Sequence, residues 1–273
     1  MALSAVPRRA LVLGRRAAMA HPARRLRRES TRLLREPDPP WPGAADPVAR
    51  ALRDTARRRP DDASRDWIER IEAERAHQRS SSLPLSGGSD TRSTVGEVTR
   101  RASVPPLRAA LLFHLVRAVD ARRCLELGTC VGISGAYIAA AMQLGGGGRL
   151  VSLEGHPDRA DVARDTWGRL GLEGAEVVVG RFHQTLPGVL AGPVYDLVFV
   201  DGDHDGRATV GYVTAIREAS HPGTVLVLDD IDWSRDMREA WSQLRAGLTG
   251  SLVCDLGRVG LIRLGPADVR RSG

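Results

Sequence analysis

After Ala121, short apolar runs recur at 123–127, 149–154, 175–179, 194–200 and 223–229, and each of the first four precedes a helical window of ten or more residues. Runs apolar at nearly every position are strands buried on both faces, which requires helices on each side of the sheet. The alternation therefore predicts a parallel sheet in a three-layer α/β/α arrangement. The ending breaks the pattern. "SLVCDLGRVGLIRL" (251–264) is two apolar runs joined at Gly257–Arg258 and reads as a β-hairpin. An ordinary dinucleotide-binding domain lacks that hairpin.

Upstream, "DDASRDWIERIEAERAHQ" (61–78) has helical spacing, with Trp67, Ile68 and Ile71 on one face. A polar gap, "RSSSLPLSGGSDTRS" (79–93), reads as a mobile loop or lid. A second helix is predicted from Pro106 to Val119. Three regions follow: a basic, Pro-punctuated arm over 1–60, expected to be flexible and dispensable; helices forming a cap or lid over 61–120; and the main domain over 121–273.

The net charge of +7 is uneven. Residues 1–36 hold ten arginines against Glu29 and Glu36, so the rest is close to neutral. All 40 basic side chains are arginine. The arm has no cluster of stacking aromatics, which argues against a nucleic-acid partner. An RNA-binding or RNA-modifying protein using the arm stays as an alternative. No apolar run approaches the ~20 residues of a membrane helix. Cys124, Cys130 and Cys254 have neither disulfide-framework nor zinc spacing, so a reducing, cytoplasmic location is expected.

In "CLELGTCVGISGAYIAAA" (124–141), strand, tight turn and helix follow one another. Gly128 and Gly132 let the backbone pass beneath a ligand, and the helix from Ile133 points its first N–H groups at it. The dinucleotide fingerprint is not met, because Cys130 and Ile133 stand at the third and sixth positions from Gly128. That weakens a second alternative, an NAD-dependent Rossmann oxidoreductase. Glu154 ends the next strand. It is placed to accept hydrogen bonds from ribose hydroxyls, or is simply an acid before the helix opened by Pro157 and Asp158. In "VFVDGDHDG" (198–206) a core strand runs into Asp201, Asp203, His204 and Asp205. These acids repel one another unless a cation or a donor-rich ligand sits against them.

Together, "ELGTCVGIS", Glu154, "GRFHQTLP", "VFVDGDHD" and "VLDDIDWS" resemble class I S-adenosylmethionine-dependent methyltransferases of the small-molecule O-methyltransferase branch, over residues 106–264. That branch includes the catechol and caffeoyl-CoA O-methyltransferases and the cephalosporin-hydroxylase-like group. The resemblance implies a Rossmann-like three-layer fold, with a mostly parallel seven-stranded sheet ending in an antiparallel hairpin. It implies S-adenosylmethionine as cofactor, a small-molecule acceptor, and a homodimer as in many relatives. It carries cofactor contacts onto Glu126, Gly128, Thr129, Gly132, Ser134, Glu154 and Asp201, and adenine contacts onto Gly180, Arg181 and Phe182. Arg181 departs from the small or acidic residue usual beside that glycine. Relatives bind a divalent ion through an Asp and an Asp-Asn pair; here Asp201, Asp229 and Asp230 would take Mg2+ or Mn2+. His204 stands where relatives place a lysine base, giving His204 and Asp201 as the catalytic pair. Trp233 and His204 would line the acceptor pocket. Two other accounts stay open: Arg207 or Arg235 pairing with the acids, and His204 merely capping its loop.

Overall fold

The structure, a computed structural model, describes residues 26, 28–31, 43, 45–57, 60–85 and 93–269. Most of the arginine-rich start and residues 86–92 of the polar gap lie outside them.

Before the main sheet come helix α1 (Pro47–Arg57), helix α2 (Asp62–Ser80), the short antiparallel pair β1 (Pro84–Leu85) and β2 (Ser93–Thr94), helix α3 (Val95–Ala102) and helix α4 (Pro106–Val119). The alternating part then reads β3 (Arg123–Leu127), α5 (Ile133–Leu144), β4 (Arg149–Glu154), α6 (Pro157–Leu170), β5 (Ala175–Val179), α7 (Phe182–Leu190), β6 (Leu197–Val200), α8 (Gly206–Glu218), β7 (Val225–Leu228) and α9 (Arg235–Ala246). The hairpin β8 (Leu252–Asp255) and β9 (Gly260–Arg263) ends it.

The seven strands lie in the order β5-β4-β3-β6-β7-β9-β8. The first five are mutually parallel, and β9 is inserted antiparallel against β7. This is the expected sheet, down to its closing hairpin. The strands are mostly apolar because both faces are covered: one core includes α4, α5 and α6, and the other α7, α8 and α9.

The register positions the site. Leu127 at the end of β3 pairs with Leu153 of β4 and with Val200 of β6, and Val200 pairs with Leu228 of β7. Gly128, Glu154, Asp201 and Asp229 therefore leave the sheet in one row. The chain order reverses between β3 and β6, and such a switch point opens a crevice beyond the strand ends.

Two regional expectations change. Residues 47–57 are a buried helix and no part of a loose arm. Val48, Ala49, Ala51, Leu52 and Thr55 are buried at helical spacing, and α1 packs on α4. Arg50 Nη2 donates to the Ala118 carbonyl at 2.5 Å, and buried Asp46 pairs with Arg263 at 2.5 Å. Likewise α2 is fastened to the main domain. The Tyr137 hydroxyl donates to Glu72 at 2.8 Å, Arg70 donates to the Leu170 carbonyl at 2.8 Å, and Arg169 pairs with Glu74 at 2.5 Å. Among the described residues no single helix is long and apolar enough to cross a membrane.

Candidate active site

The turn after β3 is held from beneath. Gly128 and Thr129 both donate their N–H to the Leu153 carbonyl. Gly128 has φ +109°, and a Cβ there would meet the Asp201 carbonyl oxygen at 2.2 Å. The glycine is thus required for two strand-end loops to touch, besides any ligand. Gly132 has φ +87°, and a Cβ there would meet Ala163 and Trp167 of α6 at 2.9–3.0 Å. Both residues that the sequence assigns to ligand approach also serve close packing.

Glu126 is fully buried at the end of β3. Its Oε2 accepts from Ser152 Oγ at 2.5 Å, and Ser152 is bonded in turn to Thr129 Oγ1. Its Oε1 has no partner. Burial raises the carboxyl to about 7, against the opposing effect of the neighbouring Ser134 and Ser152 hydroxyls, of which Ser152 is within bonding distance. Glu154 spans the same loop: Oε2 accepts from Cys130 N at 2.7 Å and Oε1 from His156 N at 2.9 Å. Gly180 donates to the Glu154 carbonyl, so the third strand end joins the same rim. Arg181 is exposed at the start of α7. The Phe182 ring lies against Gly202, where a Cβ would sit 2.6 Å from it, and meets Tyr212 edge-on. It forms the floor under the 201–206 turn.

The acids gather as the sequence suggests, but their counter-ions are different. Arg108, from the start of α4, donates Nη1 to Asp229 and, at 3.1 Å, to Asp230. Arg258, from the hairpin turn, donates Nε to Asp230 at 2.6 Å. Arg207 and Arg235 are not these partners; Arg235 pairs with Glu239 instead. Burial raises Asp201 well above the carboxylate range, and the negative Asp229 and Asp230 add to it. Burial also raises Asp229, with Arg108 opposing. For Asp230 burial is outweighed by the two guanidiniums, and the carboxyl lies below its usual range.

This arrangement tests the metal expectation. Oxygen donors suit Mg2+ or Mn2+ in kind. Yet Arg108 faces both Asp229 and Asp230, and no three His, Cys, Asp or Glu side chains among the described residues converge as a set of ligands. As arranged, Arg108 and Arg258 are the counter-ions of Asp229 and Asp230, and neither is bonded to Asp201.

His204 and Trp233 form the outer wall. His204 Nε2 is 4.0 Å from Asp201 Oδ1, and its ring centroid is 5.8 Å from that of Trp233, tilted by 33°. Trp233 is 59% exposed, with the Arg258 guanidinium 5.3 Å from its ring centre. Asp203, His204 and Asp230 all have positive φ, a cost that non-glycine residues bear mostly at functional turns. Trp241, by contrast, is core: it packs against Gly260 and donates to Asp255.

Residues 125–231 match the family model described as a methyltransferase domain. The chain is 38% identical over 132 residues to a catechol O-methyltransferase of Mycobacterium tuberculosis, covering 48% of this chain and 58% of that protein. A catechol O-methyltransferase of Niastella koreensis is 35% identical over 133 residues, with 47% and 58% covered. The chain thus spans a little over half the length of these relatives. Among solved structures, a cofactor-bound protein of MTB aligns with TM-score 0.51 and 26% identity, over 82% of this chain and 98% of that one. The O-methyltransferase of Bacillus cereus in complex with SAH shares the fold at TM-score 0.53 and 24% identity, over 74% and 90%. Fold, strand-end loops and matched segment are thus similar to those of methyltransferase domains. The relatives it matches are named as O-methyltransferases.

Proposed function

We propose that the chain binds S-adenosylmethionine over the 126–134 turn and methylates a hydroxyl on a planar small molecule held at Trp233. The supporting observation is the unpartnered, fully buried Oε1 of Glu126 beside a glycine turn that opens a helix. A buried carboxylate oxygen without a donor is costly, and a ligand with an ammonium group would relieve it.

When bound, the cofactor supplies a methyl group already activated on a sulfonium. The chain's part is placement, exclusion of water and handling of one proton. Gly128 and Gly132 keep the floor low, and the N–H groups at the start of α5 face the ligand. Glu154 at the second strand end would receive the ribose hydroxyls in addition to the backbone donors it already holds. Gly180, Arg181 and Phe182 form the rim where adenine would lie. The exposed Trp233 face gives a planar acceptor an apolar wall. His204 Nε2 would accept the acceptor's hydroxyl proton, and the imidazolium so formed would face Asp201 and favour its ionised form. Asp201, Asp229 and Asp230 would hold a divalent ion if Arg108 gave way, and no step is routed through one.

The test is calorimetry with S-adenosylhomocysteine, followed by methyl transfer to panels of phenols and hydroxy acids. Binding, with turnover on phenols that falls in Trp233→Ala and His204→Ala, is expected. No binding overturns the proposal.

A further inference from the structure

Helix α2 buries a polar stripe that its apolar face does not explain. Ile71, Arg75 and Gln78 all point inward, at the spacing of one helix face. Arg75 is occupied with Glu72 and the Val104 carbonyl. Gln78, near the end of the helix, reaches the methyltransferase domain itself. Its Nε2 donates to the Val131 carbonyl at 2.9 Å and to Thr166 Oγ1 at 2.7 Å, and its Oε1, at 3.3 Å, takes the longer arm of a bond from Thr99 Oγ1 whose hydrogen goes chiefly to the Val95 carbonyl at 2.7 Å. One side chain thereby joins α2, α3, α6 and the turn between Gly128 and Gly132.

The Val131 carbonyl is part of that turn. The peptide that follows it is bonded at both ends, since the Gly132 N–H donates to the Thr129 carbonyl. The next carbonyl, of Gly132, accepts from Trp167 Nε1 at 2.8 Å. Gln78 and Trp167 thus draw two successive carbonyls of the turn towards the helices. A trans peptide points its N–H opposite to its C=O, so fixing the Gly132 carbonyl aims the Ile133 N–H away from α6. An amide suits the Gln78 position because its single nitrogen carries two hydrogens for the two acceptors it meets.

We infer that Gln78 is a positioning residue for the cofactor-binding turn, so that the helix preceding the domain sets cofactor affinity without touching the cofactor. The inference rests on the cofactor reading above. It also makes the 61–80 helix part of the site's support and not a detachable cover.

The experiment compares Gln78→Leu, Thr99→Val and Arg70→Met in the full chain, with S-adenosylhomocysteine as the calorimetric probe and thermal melts as the fold check. Arg70→Met removes an α2–α6 tie that does not reach the turn. Gln78→Leu is expected to raise Kd on the order of ten-fold while kcat at saturating cofactor stays near the parent's. Thr99→Val, which frees one end of the amide, should raise Kd by a smaller factor, and Arg70→Met should leave it unchanged. If Gln78→Leu does not fold, Thr99→Val carries the test. Parent-like Kd in every folded Gln78 or Thr99 variant overturns the inference, as does an equal rise in Arg70→Met. A parent that does not bind the probe overturns the cofactor reading, and this inference with it.

Discussion

Arg108 and Asp229 are 121 residues apart in the chain and form an ion pair at the mouth of the site. The guanidinium comes from the helix before the first core strand, and the carboxylate from the end of the fifth. Both side chains are nearly buried. Breaking a buried pair on one side typically costs about 3–5 kcal/mol, because the remaining charge is stranded. Arg108→Ala should therefore lower Tm markedly, and adding Asp229→Asn should restore part of the loss. The same pair bears on metal use. Exhaustive chelation is expected to leave the methyl-transfer rate unchanged. A rate that collapses and returns with magnesium would show that an ion displaces Arg108.

Gly128→Ala is expected to damage structure as well as binding. Its Cβ would collide with the Asp201 backbone, and the residue would hold φ +109°. The variant should melt lower than the parent even without cofactor, and should lose S-adenosylhomocysteine binding in calorimetry. An unchanged melt with lost binding would return the glycine to a purely ligand-facing role.

Truncation separates the arm from α1. A chain beginning at Asp61 loses the buried Val48 and Leu52 side chains, each worth roughly 1.5–3 kcal/mol, and it uncovers α4. It should be poorly soluble or melt far below the parent. A cooperative melt close to the parent's would show that α1 is dispensable.

The strands were legible because a strand buried on both faces is apolar at most positions, Glu126 and Ser152 being exceptions. The closing hairpin was legible from one glycine-containing turn, and the site row from Gly128, Glu154 and Asp201 ending successive runs. The counter-ions were not. Arg108 and Arg258 are two of 40 arginines, and their pairing depends on which helix and which turn the fold brings to the strand ends. Sequence neighbours such as Arg207 gave no guide. Gln78 was hidden for the same reason: it sits among exposed polar residues, and only packing selects it. Helix α1 did leave a signal. Pro47 opens it, the Asp46 carboxylate accepts from the Val48 N–H, and its apolar residues are helically spaced. The expected boundary at residue 60 falls after this helix and is too late.

Glu126 should make stability depend on pH. Its carboxyl is raised to about 7 in the folded chain from the ordinary value of 4.5. Between those values the folded state holds a proton that the unfolded state has released, so stability falls as pH rises from about 4.5 to about 7 and stays lower above that. A shift of this size corresponds to roughly 3 kcal/mol. Gln at this position keeps an oxygen for Ser152 and has no charge to bury. In cofactor-free protein, Glu126→Gln should melt close to the parent at pH 5 and well above it at pH 8. The melting difference between variant and parent, measured across that range, is the check. A difference that does not grow with pH would mean that Glu126 finds a cationic partner in the folded chain, and that its unpartnered oxygen is not what the cofactor meets.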